Sequence, residues 1–211
     1  MTELTTKNMD VRIKIMQSAL ELFRQYGFKS VTMDDVAHRS GISKKTLYQH
    51  FDNKNAIVGD AMLFYKEGMR CQCDSIMHAA SNAVEAFVKI KVHFDNVYKE
   101  LNPIALHELQ RFYPEGYQQF RLNMESDVAA IKANLDQGVA EGLYRPEMNT
   151  EVMALFHMES LMMIMLPNMI VKDRFDLYTV SREIMEHYIY GIVTPKGEKL
   201  YKKYKEQYLT K

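Results

Sequence analysis

The sequence predicts an all-α protein with two parts, a small N-terminal three-helix domain and a larger helical domain. Apolar residues recur at three- and four-residue spacing along most of the 211 residues, which is the repeat of a helix that buries one face. Alternation of apolar and polar residues, the mark of a half-buried strand, never persists. Pro103, Pro114, Pro146 and Pro195 separate the periodic segments, as expected of a residue that lacks a backbone N–H.

The first predicted helix begins near Val11 and has a broad apolar face. The residues at helical spacing are Val11, Ile15, Ala19, Leu22 and Tyr26, with Met16, Leu20 and Phe23 beside them. Gly27 follows directly, and glycine favours the left-handed conformation that ends many helices. We therefore expect the helix to stop at this glycine.

Three further helices are each preceded by a residue whose side chain can cap a helix. Thr32 precedes a predicted helix over Met33–Ser40, and Ser43 precedes one over Lys44–Phe51. Asp52 or Asn53 precedes a longer helix that starts at Lys54. The helices predicted from that point are Lys54–Cys71, Asn82–Leu101, Ile104–Arg111, Tyr117–Gly142, Thr150–Val171 and Phe175–Ile192. Pro167 lies inside the fifth of these and is expected to kink or end it.

The charges are balanced overall but unevenly distributed. Residues 1–70 contain 11 basic and 8 acidic side chains, and residues 71–195 contain 10 basic and 17 acidic ones. The tail, residues 196–211, contains 6 basic and 2 acidic side chains. A basic N-terminal part on an acidic body is consistent with a nucleic-acid-binding segment joined to a part with another role.

The segment from Thr32 to Phe51 has the pattern of a helix-turn-helix. Gly41 can adopt the positive φ that a tight turn between crossing helices needs. The apolar residues that fix the crossing angle are Val36, Ile42, Leu47 and Phe51, and Ala37 is small where the helices approach. An ordinary helical hairpin in a protein core would show the same internal pattern.

The outer surface of the second helix distinguishes these two interpretations. It carries Lys44, Lys45, Thr46, Tyr48, Gln49 and His50, with no acidic residue as far as Phe51. A solvated helix face normally mixes charges of both signs. A short helix that is basic, hydroxyl-rich and aromatic suits the major groove, where it can donate to phosphates and base edges. We therefore interpret the segment as a DNA-binding element.

Many of these residues occur in an order and spacing that resembles the TetR family of bacterial regulators. The likeness covers about residues 10–65 and is carried by Ala19-Leu20-Glu21-Leu22-Phe23, Tyr26-Gly27-Phe28, Thr32 with Val36-Ala37, Gly41-Ile42-Ser43-Lys44, Thr46-Leu47-Tyr48, and His50-Phe51 followed by Asn53-Lys54. Beyond residue 65 only the all-helical character and the length agree. The family pattern often has an aromatic residue where this chain has Gln49.

The resemblance implies a role for each matching residue of the DNA-binding domain. Thr32 would contact a phosphate through its hydroxyl or the neighbouring N–H groups, and Ser43 would cap the recognition helix. Lys44, Lys45, Thr46 and Gln49 would face the groove, where Gln49 could bond adenine in a bidentate manner. Contacts to backbone phosphates are implied for Tyr48, His50 and Lys54, although His50 is equally well explained as a surface histidine.

The resemblance also implies a small-molecule pocket and a dimer. Aromatic and methionine side chains of the middle helices are the candidates for the pocket, namely Phe64, Phe94, Tyr98, Phe112, Phe120, Met124 and Met158. The same side chains could instead fill a solid core. In this architecture the last two long helices pair with those of a second subunit, and the candidates for that contact are Leu155, Met158, Met162, Ile184, Tyr188 and Ile192.

These expectations give a division into a DNA-binding domain (1–55), an effector-binding and dimerisation domain (56–195) and a basic extension (196–211). The function expected is that of a homodimeric repressor that leaves double-stranded operator DNA when it binds a small hydrophobic ligand. An activator, or a DNA-binding protein without an effector, would have the same sequence features. An all-α enzyme is the remaining alternative, but it does not explain why the acid-free basic helix lies in a helix-turn-helix.

Other features of the sequence indicate no cofactor and no metal. The histidines form no metal-binding spacing, and Cys71 and Cys73 are expected to be reduced structural thiols. The start of the chain is polar, and the longest apolar run, Leu161–Val171, is too short to cross a bilayer. We therefore expect a soluble cytoplasmic protein without a membrane partner.

The basic tail, with Leu200, Tyr204 and Tyr208 at helical spacing, is expected to pack on the body, or alternatively to reach phosphates as a flexible arm.

Overall fold

A computed structural model describes residues 3–100, 102–121, 124–164 and 176–209, and they form an all-α fold. The helices are α1 (Glu3–Tyr26), α2 (Met33–Ser40), α3 (Lys44–His50), α4 (Lys54–Ala79), α5 (Ala83–Glu100), α6 (Pro103–Phe112), α7 (Pro114–Arg121), α8 (Met124–Ala140), α9 (Thr150–Ile164), α10 (Leu177–Ile192) and α11 (Pro195–Tyr208). An isolated bridge between Tyr144 and Val193 is the only β-type pairing in these parts of the chain. The predicted fold class is therefore confirmed.

The predicted helix ends agree with the structure in the N-terminal part. The first helix ends before Gly27, which has φ 82° and donates its N–H to the carbonyl of Phe23 at 2.9 Å. Glycine is favoured there because a Cβ atom is strained at positive φ. The helix begins at Glu3, earlier than its apolar pattern indicated.

Three predicted helices differ from the observed ones. The helix predicted over Lys54–Cys71 continues to Ala79. No proline interrupts the chain between Cys71 and Ala79, and the pattern of apolar residues does not change sharply there. For the single helix predicted over Tyr117–Gly142, the structure describes α7, which begins at Pro114, and α8, which ends at Ala140, and residues 122 and 123 between them fall outside the described residues. The helix predicted over Thr150–Val171 is described to Ile164, and the kink at Pro167 falls outside the described residues.

Contacts divide the chain into two compact units. The first unit comprises Met1–Met69 and Glu100–Leu122, and the second comprises Arg70–Lys99 and Asn123–Lys211. The chain passes from the first unit to the second between the described parts of α7 and α8. The first unit extends beyond residue 55 because α6 and α7 pack with the N-terminal helices. The division at residues 55 and 195 follows the expected roles of the segments and remains a proposal.

Each unit has its own apolar core. The first core is built mainly from α1 to α4 with α6, and includes Ile15, Phe23, Leu47, Phe51, Ile57 and Leu109. The second core is built from α5, α8, α9, α10 and α11, and includes Val84, Val88, Leu135, Tyr144, Ile189 and Tyr201. Burial of these side chains is the main stabilising contribution to each unit.

The basic tail packs on the second unit through the apolar face of α11. Tyr201 is fully buried. The Tyr204 hydroxyl accepts from Asn82 Nδ2 at 2.9 Å, and the Tyr208 hydroxyl donates to Glu85 Oε1 at 2.9 Å. The expectation of an amphipathic extension packed on the body is confirmed. No helix in the described part of the chain combines the length and hydropathy that crossing a membrane requires.

Candidate nucleic-acid interface

The turn between α2 and α3 is built from local capping interactions. The Thr32 hydroxyl accepts from the Asp35 N–H at 3.2 Å, and the Asp35 carboxylate accepts from the Thr32 N–H at 2.8 Å, which is a reciprocal capping box. Gly41 ends α2 with φ 64° and donates to the carbonyls of Ala37 and His38. These interactions set the direction in which the chain enters α3.

The recognition helix α3 presents one polar face and buries the opposite one. Leu47 is fully buried in the first core, whereas Lys44, Lys45, Tyr48 and Gln49 are exposed. The four exposed residues share one side of the helix because they lie at positions i, i+1, i+4 and i+5. The Ser43 hydroxyl caps the helix by accepting from the Thr46 N–H at 3.0 Å, as the sequence predicted.

An acidic residue of α2 lies close to the exposed face of α3. Lys44 Nζ is 2.8 Å from the Asp34 carboxylate, and the hydrogen bond between them raises the pKa of Lys44. Both side chains are largely exposed. Lys44 therefore remains cationic and can exchange this surface partner for a phosphate, since pairs in water are held weakly.

Two residues expected to contact phosphates are engaged within the first unit. The Thr32 hydroxyl lies 2.6 Å from Asp35 Oδ2 as part of the capping box. Lys54 is half-buried, donates to the Lys29 carbonyl at 3.4 Å and lies 5.5 Å from the centre of the Tyr113 ring. Either residue can contact a phosphate only if the phosphate replaces these interactions.

Thr46 and His50 lie at the edges of the exposed face. Both are half-buried, and the Thr46 hydroxyl is 2.8 Å from the Ser43 hydroxyl. The carbonyl of His50 accepts a hydrogen bond from Arg12 Nη1 at 2.7 Å. The structure thus places the predicted residues of α3 together, with Lys44, Lys45, Tyr48 and Gln49 the most accessible.

Arg12 makes contacts to α3 that the sequence did not reveal. Its guanidinium donates to the carbonyl of His50, lies 4.1 Å from the centre of the Phe51 ring and pairs with Asp60. It therefore ties α1 to the end of α3 and to α4. Its partners are 38 to 48 residues away in sequence, so only the fold brings them together. The contacts fix the position of α3, while the exposed face remains accessible.

We expect Arg12→Ala to weaken operator DNA binding about tenfold, because one charge-assisted hydrogen bond and a ring contact that position α3 are lost. The salt dependence of binding should not change, since no phosphate contact is removed. Fluorescence anisotropy at several salt concentrations measures both quantities. Arg24→Ala is the matched control, because Arg24 lies on the same helix and pairs with Glu100 at the surface. Unchanged affinity, or a reduced salt slope, in Arg12→Ala would contradict the positioning role.

The residues expected to line a ligand pocket fall in different units. Phe64, Phe112 and Phe120 belong to the first unit, and Phe94, Tyr98, Met124 and Met158 belong to the second. Phe112 is 45% exposed, and its ring contacts the side chains of Lys29 and Arg111. Its assignment to an interior pocket is therefore not supported. Tyr98 and Met158 are buried, and the other four are partly buried.

The cysteines and possible metal ligands show no reactive constellation. Cys71 and Cys73 are free thiols, and burial, aided by Asp74 and Asp127, raises the pKa of Cys73 to about 11. A thiol with a raised pKa is a poor nucleophile at neutral pH. Within the described ranges, no three His, Cys, Asp or Glu side chains are placed to hold a metal ion together.

Comparison with known proteins agrees with this geometry. The family model described as "Bacterial regulatory proteins, tetR family" matches residues 15–61, which include α2, α3 and the turn between them. The N-terminal part of the chain therefore has the DNA-binding domain of the TetR family. The protein is accordingly a DNA-binding transcriptional regulator rather than an enzyme.

The relatives in this family extend the likeness beyond the helix-turn-helix. The chain is 23% identical over 155 residues to the HTH-type transcriptional repressor KstR2 of Mycobacterium tuberculosis, covering 69% of this chain and 74% of that protein.

Two solved structures have the same fold. A putative transcriptional regulator from Saccharomonospora viridis in complex with choline has a TM-score of 0.68 at 16% identity, with 88% of this chain and 99% of that chain covered. FadR from Bacillus subtilis in complex with stearoyl-CoA has a TM-score of 0.61 at 18% identity, with 85% and 98% covered.

Proposed function

We propose that this TetR-family regulator is a homodimeric repressor that binds a near-palindromic operator and is released by a small hydrophobic ligand. The observation that carries the proposal is the outward face of α3, on which Lys44, Lys45, Tyr48 and Gln49 are exposed together. Capping at both ends of the turn and the contacts of Arg12 hold this face in place. The face can therefore enter the major groove without local refolding.

Within this proposal, the exposed side chains of α3 have different tasks. Lys44, Lys45 and Tyr48 donate to phosphates at the groove edge, which gives affinity without sequence preference. Gln49 reads a base, because a glutamine amide can pair with N6 and N7 of adenine. Ser43 remains the helix cap.

An exposed apolar surface on α9 supports a dimer. Val152, Leu155 and Phe156 are 57%, 49% and 53% exposed, and they lie on one side of the helix. We propose that α9 and α10 cover this surface with their copies in a second subunit. Met158, Tyr188 and Ile192, which the sequence also placed in this contact, are buried within the second unit instead. A two-fold dimer would hold two α3 helices about 34–36 Å apart, the length of one DNA turn.

Release by a ligand is supported by the second unit and by the solved relatives. Phe87, Phe94, Tyr98 and Met158 supply aromatic and thioether surface within this unit. Regulators of the same fold have been solved with choline and with stearoyl-CoA. A ligand lowers operator affinity only as far as it prefers the conformation that does not bind DNA. We propose α4 as the connecting element, because this one helix contributes residues to both units.

Selection of operator sequences from random DNA, followed by displacement with hydrophobic compounds, tests the proposal. We expect a near-palindromic consensus with half-sites about one turn apart. At least one compound should raise the melting temperature of the free protein and displace operator DNA over the same concentration range. A reporter gene downstream of the selected operator should be repressed without the compound. Absence of a symmetric consensus, or compounds that stabilise the protein and leave DNA affinity unchanged, would count against the proposal.

A further inference from the structure

Two basic side chains lie against one exposed aromatic ring at the end of α6 in the first unit. Lys29 Nζ is 5.4 Å from the centre of the Phe112 ring, and the guanidinium carbon of Arg111 is 5.5 Å from the same centre. Lys54 Nζ lies 5.5 Å from the centre of the next ring, that of Tyr113. The loop before α2, the end of α6 and the start of α4 therefore meet at this place. We refer to Lys29, Arg111 and Phe112 as the α6 cluster.

Hydrogen bonds of the backbone fix Lys29 beside α6. Its N–H donates to Glu108 Oε2 at 2.8 Å, and its carbonyl accepts from Lys54 Nζ at 3.4 Å. Gly27 leaves room for this carboxylate, because a Cβ atom at that residue would lie 2.7 Å from Glu108 Oε2. The position of the Lys29 backbone beside α6 is therefore set by the fold and does not depend on its flexible side chain.

The charges of the α6 cluster are available to a further anion. Its three residues are exposed, and the ion pairs described in the first unit involve other residues. Glu108, the carboxylate beside Lys29, already accepts from a backbone N–H. A cation on a ring face is attracted by the ring without being neutralised, and the contact restricts its side chain before any partner arrives. Less conformational entropy is therefore lost when the two cations bind one anion.

The α6 cluster adjoins the helix ends at which the sequence predicted phosphate contacts. Lys29 lies three residues before Thr32, the N-cap of α2, and is hydrogen-bonded to Lys54, the first residue of α4. Helix N-terminal ends favour phosphates, because their N–H groups are free and the helix dipole is positive there. The cluster thus extends the candidate DNA interface of the first unit to α6, a helix that the family model does not include.

We propose that the α6 cluster of each subunit binds a backbone phosphate of the DNA that flanks the half-site. The inference rests on the proposed operator binding and goes beyond it, since it adds a contact that α3 does not make. A duplex carries one phosphate charge about every 1.7 Å along its axis, so anions continue beyond the base pairs that α3 contacts. Continuity with the DNA interface favours this partner over an acidic protein surface. A phosphate contact of this kind increases affinity and gives no sequence preference.

Two duplexes that differ in length test this proposal. The short duplex ends at the last base pairs of the selected operator, and the long one extends it on each side by one helical turn, roughly 10 base pairs. Fluorescence anisotropy at several salt concentrations gives the affinity and the salt slope for both. We expect the unmodified protein to bind the long duplex about tenfold more tightly and with a slope steeper by about 2, because a dimer gains two phosphate contacts.

Charge variants separate the α6 cluster from other causes of a length effect. Lys29→Ala with Arg111→Ala should abolish the difference between the duplexes and leave binding to the short one unchanged. Its melting temperature should hardly change, because both side chains are exposed. Lys29→Arg with Arg111→Lys keeps both charges and should retain the preference for the long duplex. The control is Lys202→Ala with Lys203→Ala, which removes the same charge from the surface of α11, where Lys203 Nζ also lies 5.8 Å from the centre of an aromatic ring. It should retain the preference.

The proposal is wrong if the unmodified protein binds both duplexes equally, or if the alanine variant keeps its preference for the long one. An acidic protein surface would then be the partner that fits the α6 cluster. Loss of the preference in the control as well would also contradict the proposal, because the effect would be one of net charge. If the alanine variant fails to fold, Lys29→Gln with Arg111→Gln decides in its place. Failure of the proposed function is distinguishable, because it abolishes the preference of the unmodified protein for the operator over an unrelated short duplex, whereas failure of the α6 contact leaves that preference intact.

Discussion

Leu155→Asp should convert the protein from a dimer to a monomer and lower operator affinity by at least about a hundredfold. The leucine is 49% exposed within one subunit, and in the proposed dimer it is covered by the second copy. A two-fold contact would bury the new carboxylate twice, once from each subunit, without a partner for either charge. Operator affinity falls because a monomer can occupy only one half-site.

Light scattering at micromolar concentration gives the mass of the particle, and anisotropy gives operator affinity. Ile104→Asp is the matched control, because Ile104 is 59% exposed and lies on α6 of the first unit. It introduces the same charge at a similar exposure and should remain dimeric. A mass of one subunit for the unmodified protein, or of two subunits for Leu155→Asp, would show that this surface of α9 does not hold the dimer.

The second large effect is expected at the recognition helix. Lys44→Ala with Lys45→Ala should weaken binding to all DNA sequences and reduce the slope of log K against log salt by about 3 to 4 in a dimer, since four phosphate contacts are lost. The expected loss of affinity is at least about a hundredfold at physiological salt. Both lysines are exposed, so the melting temperature should hardly change.

A second double variant that removes the same charge elsewhere distinguishes the loss of phosphate contacts from a general effect of net charge on DNA binding. Lys202→Ala with Lys203→Ala removes two exposed lysines of α11 and should leave the slope unchanged. An equal loss in both double variants would mean that the tail reaches DNA or that only net charge matters. Gln49→Ala, in contrast, should relax preference at one operator position by about 1–3 kcal/mol and keep the salt slope.

The sequence predicted most of the helix-turn-helix because its determinants are local. The side chains of Thr32 and Ser43 cap helices by accepting from N–H groups three residues further along the chain. Gly41 can adopt its positive φ because it is a glycine. Helix ends were less predictable where no cap or proline marks them, as at the end of α4.

Contacts between distant parts of the chain could not be predicted in this way. Arg12 is one of several basic residues on α1, and only the folded structure brings it to His50 and Asp60. Lys91 and Asp95 have the i,i+4 spacing of an ordinary surface pair, and burial alone distinguishes them from Lys132 and Asp136. For the same reason the sequence could not show that Phe112 is 45% exposed, since hydrophobicity does not reveal whether a side chain faces inward.

On α3, the contacts that hold the helix in place involve other residues than those that project into solvent. Leu47 and the contacts of Arg12 hold the helix, while Lys45, Tyr48 and Gln49 project into solvent. Substitutions at exposed positions away from caps usually change stability by no more than about 0.5 kcal/mol. A duplicated copy of the gene could therefore change its preferred base through the codon of Gln49 and its affinity through those of Lys45 and Tyr48 with little cost to folding, and a library randomised at these three codons offers the same route in the laboratory.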